Sequence, residues 1–127
     1  MRFINLNEYS PLVLAYLGDG VIEILVREKL VKAGNIPPEQ LHIKALMFVK
    51  ATAQSKASEN MLPKLTEPEL DIYKRGRNAK NRVPKSSPPA DYRRATGMEC
   101  LFGYLYLAGE HDRINELFNI AFGEIKL

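Results

Sequence analysis

The stretch Leu12-Val13-Leu14-Ala15-Tyr16-Leu17-Gly18-Asp19-Gly20-Val21-Ile22-Glu23 decides how this chain is read. It has the pattern of an apolar helix with a carboxylate set between two glycines. Each glycine inside a helix costs about 1 kcal/mol relative to alanine. A buried carboxylate costs more again unless a cation meets it. On a helix, Asp19 shares a face with Leu12, Ala15, Tyr16, Ile22, Glu23 and Val26, so the charge is expected along the packing stripe. One reading is a kinked core helix whose aspartate finds a backbone donor. The other is a metal ligand on a rigid element, with glycines admitting other groups at close range.

A second acid bears on the choice. The segment from Asp91 to Gly109 is built the same way, with Glu99 on a face that carries Ala95, Thr96, Phe102 and Gly103. Two such helices side by side could bring Asp19 and Glu99 to one hard cation. Mg²⁺ takes carboxylate and water oxygens and usually needs only one or two protein carboxylates besides substrate phosphate.

At 127 residues the chain is read as a single domain, residues 1–127. That length can bury roughly two-thirds of the extended surface without disulfides or structural metal. Cys100 is the only cysteine, so an intrachain disulfide is impossible, and it is expected to be a buried small hydrophobe. His42 and His111 are far apart and make no convincing zinc site with one cysteine. Met1-Arg2-Phe3-Ile4-Asn5 lacks the apolar core of a signal peptide, and no run is long enough to span a bilayer, so a soluble, cytoplasmic protein is expected.

The net charge of +3 is unevenly distributed. Between Lys74 and Arg94 there are eight basic residues against one acid, Asp91, which leaves the rest of the chain acidic. A charge run is often only a solvated face. Here Gly76, Asn78, Asn81, Pro84 and Pro88-Pro89 interrupt it, so much of it reads as a loop leading into the Glu99 helix. A basic loop beside a carboxylate site suggests a polyanionic substrate held next to its metal.

Periodicity is all-α throughout, with five or six helices and seven at most. Ser10 and Pro11 open a long helix to about Lys32, stopped by Gly34-Asn35. Pro37-Pro38-Glu39 opens a stretch to about Met61 that is one bent helix or two. Thr66-Glu67-Pro68-Glu69 starts a short helix that gives way near Asn78. The Glu99 helix follows Pro88-Pro89, and an amphipathic helix through Ile114, Leu117, Phe118, Ala121 and Phe122 ends the chain.

With these residues in view, Tyr16-Leu17-Gly18-Asp19-Gly20-Val21 resembles the signature helix of the ribonuclease III family, and Met98-Glu99-Cys100-Leu101-Phe102-Gly103-Tyr104-Leu105-Tyr106-Leu107 resembles its second motif. The similarity is closer to the short branch, Mini-ribonuclease III, which has no double-stranded-RNA-binding domain. It rests on Leu41-His42, Phe48-Val49, Ala53-Gln54, Gly76-Arg77-Asn78-Ala79-Lys80, Val83-Pro84-Lys85 and Tyr92-Arg93, all in order.

The resemblance implies an all-helical endonuclease domain, acting as a homodimer on double-stranded or structured RNA. It implies hydrolysis assisted by Mg²⁺, or Mn²⁺ in its place, leaving 5′-phosphate and 3′-hydroxyl ends, with precursor 23S ribosomal RNA as substrate. Asp19 and Glu99 become the catalytic metal ligands. Arg75, Arg77, Asn78, Lys80 and Lys85 become the RNA contacts, since A-form RNA is read through phosphates and 2′-hydroxyls. Tyr16 becomes an aromatic anchor at the dimer interface, against its ordinary fate as a core aromatic.

Two positions depart from the larger enzymes: Ala15 and Thr96 stand where the family pattern has acids. Glu23 is then either a replacement ligand or the structural partner of a nearby cation. The missing carboxylates also keep open a catalytically inactive RNA- or ribosome-binding protein of the same fold; a metal-free nucleic-acid binder would instead require internal cations to meet Asp19 and Glu99.

Overall fold

The computed structural model describes residues 8–123 and 125. The N-terminal stretch Met1 to Asn5 lies outside them. Among the described residues there are six α-helices and no strand: α1 (Pro11–Ala33), α2 (Pro38–Val49), α3 (Ala51–Met61), α4 (Glu67–Arg77), α5 (Pro89–Leu107) and α6 (His111–Phe122). The all-α expectation holds, and the region after Gly34 resolves into two helices. They part at Lys50, whose backbone turns extended (φ −62°, ψ 145°) between them.

Local chemistry starts and stops these helices as the sequence suggests. The Ser10 hydroxyl accepts a hydrogen bond from the Val13 amide at 3.2 Å, and Pro11 fills the first helical position, where no amide proton is needed. Thr66 and Glu69 form a reciprocal capping box at the start of α4. Gly109 adopts φ 75°, a left-handed conformation that glycine takes without strain, and so turns the chain from α5 into α6.

Helix α5 is the axis of the molecule, with α1, α4 and α3 packed around it. Ile22, Val26, Phe48, Met98, Phe102 and Phe122 are fully buried between the helices. Phe122 meets Phe48 and Phe118 at tilted-ring distances of 5.5 and 5.0 Å. A partly buried ion pair ties the start of α4 to α6. Arg113 donates to both carboxylate oxygens of Glu69 at 2.8 and 2.7 Å and to the Lys64 carbonyl at 2.7 Å, and it also pairs with Glu116. The Arg113 hydrogen bonds hold the Glu69 carboxyl below its ordinary range.

One expectation is corrected. Helix α1 buries Leu14, Ala15, Gly18, Val21, Ile22, Val26 and Leu30, whereas Asp19 and Tyr16 lie outside that stripe and are exposed. The buried face is turned because Gly18, not Asp19, meets α5. Among the described residues no helix is long and apolar enough to cross a membrane.

Candidate active site

The site begins with two glycines. A Cβ on Gly18 would overlap the carbonyl oxygen of Glu99, and a Cβ on Gly103 would overlap the carbonyl oxygen of Leu14. The two helices therefore touch backbone to backbone, each through a notch in its own surface. Gly18 meets Glu99 while Leu14 meets Gly103, so α1 and α5 run past one another in opposite directions. Asp19, the residue after Gly18, is thus held beside Glu99.

The two carboxyls come within hydrogen-bonding reach of each other. Burial pushes the Glu99 carboxyl up to about 8, and the hydrogen bond to Asp19 and its charge add to that shift. Two neighbouring carboxyls, Glu99 largely buried and Asp19 exposed, favour either a shared proton or a hard cation. The donor set fits Mg²⁺ or Mn²⁺: carboxylate oxygens only, one partner open to solvent and the other anchored.

Glu23 does not join the pair. Its carboxylate bonds Arg27 at 3.0 Å, one turn along the same helix. Among the described residues no group of three or more His, Cys, Asp or Glu is placed to hold a metal. Ala15 is buried with Leu14 and Cys100, and the Thr96 hydroxyl donates to the Tyr92 carbonyl at 3.0 Å. The positions that are acidic in the larger enzymes are therefore closed into packing here. Cys100 is buried as expected, and burial pushes its thiol up to about 11, so it has no reactive thiolate near neutral pH.

The basic residues divide between helix and loop. Arg75 and Arg77 occupy the last turn of α4 rather than the loop, and Asn78 is its C-cap. Lys80 and Lys85 lie exposed on the connection to α5. Helix α4 is locked to α5 near Glu99: a Cβ on Gly76 would lie 2.5 Å from the Cys100 Cβ and 2.9 Å from the Gly97 Cα. The basic end of α4 is thereby fixed to the same turn of α5 that carries Glu99. Tyr73, beneath Arg77, was given no role by the sequence; its spacing one turn before Arg77 is the signal that could have found it.

Tyr16 is 85% exposed, and Val13, Ile24 and Val31 are exposed with it along the outside of α1. Gly20 lies between them, with nothing within 4 Å of its would-be Cβ. Beside this stripe is a groove of about 460 Å³ between α1 and α2, lined by Val26, Leu30, Val31, Leu41, His42 and Leu46 among others. His111 opens α6 and stands edge-on to Tyr106 at 5.4 Å.

The chain matches the family model described as the Ribonuclease III domain over residues 12–110. A "Mini-ribonuclease 3" of Symbiobacterium thermophilum is 48% identical over 122 residues, which is 95% of this chain and 94% of that protein. A "Mini-ribonuclease 3" of Brevibacillus brevis is 44% identical over 121 residues, 94% of this chain and 90% of the other. A crystal structure of a Fusobacterium nucleatum protein superposes with a TM-score of 0.84 at 30% identity, covering 94% of this chain and 98% of that one. The chain belongs to the ribonuclease III family, in its Mini-ribonuclease 3 branch.

Proposed function

We propose that this protein is a divalent-metal-dependent endoribonuclease that hydrolyses phosphodiester bonds in double-stranded or structured RNA. The observation that carries the reading is the Asp19–Glu99 pair, two carboxyls brought within reach of each other beside a glycine crossing, with Glu99 pushed up to about 8. Asp19 and Glu99 are the residues that would hold Mg²⁺ or Mn²⁺. Bound there, the cation supplies water activation and neutralisation of phosphate charge.

The chain's own groups do the rest. Glu99, anchored in α5, would hold the cation as its carboxylate, with its proton released to solvent, and the exposed Asp19 beside it would be the second ligand. Arg75 and Arg77 on α4, with Lys80 and Lys85 beyond them, form a cationic surface next to this pair, and the neutral Asn78 lies within it. Such a surface suits the phosphates of an A-form duplex, whose narrow major groove admits no side-chain reading.

A homodimer is part of the proposal, because one protomer offers a single carboxylate pair for a two-stranded substrate. The exposed stripe of Tyr16, Ile24 and Val31 supports α1 as the interface, and the groove beside it supports an aromatic anchor from the second copy. Gly20 supports a close helix crossing at the centre of that stripe. Maturation of precursor 23S ribosomal RNA, in the cytoplasm, is the role proposed from membership of the branch.

The test is cleavage of a long, imperfectly paired RNA duplex by the purified protein with Mg²⁺ and, separately, Mn²⁺. Cleavage to 5′-phosphate ends is expected. Binding without cleavage under both metals would instead make this a non-catalytic RNA-binding member of the family.

A further inference from the structure

Arg77 is the one basic residue of the α4–α5 region whose guanidinium is held on two sides. Its Cζ lies 6.0 Å from the centre of the Tyr73 ring, one turn back on α4. Its Nε donates to the Asn78 Oδ1 at 3.3 Å. Tyr73 is only 1% exposed, and its ring rests on Gly97 of α5, where a Cβ would lie 2.9 Å from Cε2 and 2.8 Å from the Tyr73 carbonyl oxygen. Backbone of α5, the Tyr73 ring and the Arg77 guanidinium therefore follow one another outward, the guanidinium at the outer limit of a cation–π contact, and the backbone contact lies two residues from Glu99. Among the described residues Arg77 makes no ion pair, so both of its terminal nitrogens remain to donate. The phenol hydroxyl of Tyr73 is buried with no hydrogen-bond partner among the described residues, so removing it breaks no contact with Arg77.

We propose that Tyr73 and Asn78 are positioning residues that pre-set Arg77 as a phosphate clamp for the RNA backbone, at a spacing from Glu99 fixed by Gly97. This rests on the RNA-binding reading of the basic surface and gives Asn78 a task other than touching RNA. An arginine free to rotate loses rotamer freedom when it grips a phosphate, and one already held against a ring and an amide loses less. A guanidinium engaged only through Nε presents its other edge for a two-point grip on phosphate oxygens.

The experiment is a double-mutant cycle on affinity for an RNA duplex of about 25 base pairs, in EDTA so that no cleavage intervenes. Arg77→Ala is expected to weaken binding about tenfold, Tyr73→Leu about three- to tenfold and Asn78→Ala about threefold. Tyr73→Phe, which keeps the ring, should bind as wild type does. In the Arg77→Ala background, Asn78→Ala and Tyr73→Leu should cost nothing further. The proposal is overturned if Asn78→Ala costs its full factor without Arg77, or if Tyr73→Phe loses as much as Tyr73→Leu. Should Tyr73→Leu fail to fold by circular dichroism, the exposed Asn78 arm of the cycle decides alone. Unchanged binding in Arg77→Ala itself would instead remove Arg77 from the RNA surface, a failure of the underlying reading and of the clamp with it.

Discussion

The carbonyl oxygen of Glu99 occupies the space where a side chain on Gly18 would begin. Neither glycine at the α1–α5 crossing is needed for a turn or a positive φ; both lie inside helices, where glycine is unfavourable. What offsets that cost is proximity. The notch lowers one helix onto the other until the acid following Gly18 reaches the acid whose backbone fills the notch.

Gly18→Ala is therefore expected to force the two backbones apart. Overpacking of this kind costs about 1–3 kcal/mol, and more where backbone atoms are the obstacle. Urea denaturation should show a loss of at least that size, with cleavage falling further than stability because the carboxyls separate. A stable, fully active Gly18→Ala protein would mean that the crossing does not set the site. Gly20→Ala, with open space around it, serves as the within-helix control for the protomer's stability.

Glu99 gives a pH signature. Its carboxyl is pushed from 4.5 up to about 8 in the folded protein without a cation. Because the folded value is the higher one, no penalty exists below about pH 4.5. The penalty grows as the pH rises towards 8 and is complete above it, on the order of a few kcal/mol. In EDTA, Glu99→Gln should accordingly gain stability over wild type between pH 5 and about 8, read as a widening difference in urea midpoint. Adding Mg²⁺ at the upper end should stabilise wild type and leave Glu99→Gln unmoved. A difference that is flat with pH would remove the buried-carboxyl account.

Tyr16 tests the assembly. Tyr16→Ala is expected to be monomeric by sedimentation at low micromolar concentration while wild type is dimeric, with helical content and protomer stability little changed, since the ring touches so little of its own chain. A variant that stays dimeric would move the interface elsewhere.

The loop lysines should behave as phosphate contacts. Replacing Lys80 and Lys85 by alanine is expected to weaken duplex binding and to reduce the slope of log K against log salt by roughly one to two units. Unchanged affinity and slope would make the loop a solvated surface only.

Much of the fold was legible because helix ends are local. Ser10, Pro11, Thr66 and Glu69 cap in the structure as their residue types suggest, and Gly109 ends the Glu99 helix segment where the sequence reading closed it. The rotation of α1 was not legible. That helix is apolar on its core side and on its outer side alike, with Tyr16, Ile24 and Val31 outside and Ile22, Val26 and Leu30 inside, so periodicity cannot choose between them. The carboxylate pair was legible as two odd acids, but the notches that join them belong to two distant segments and appear only once the helices pack. The end of the α4 helix near Asn78 was legible, with Arg75 and Arg77 inside its last turn, although Gly76 lies between them. Helix α4 runs through Gly76, since packing on Gly97 and Cys100 requires the missing side chain there.

The central claim is that Asp19 and Glu99 do the chemistry while the basic surface does the binding. Asp19→Asn separates the two, because it alters an exposed side chain and leaves the glycine crossing intact. Cleavage and duplex affinity should be measured side by side for this variant and wild type with Mg²⁺. The expected result is cleavage lost by orders of magnitude with affinity within about twofold of wild type. An Asp19→Asn protein that still cuts at the wild-type rate would contradict the account at its core.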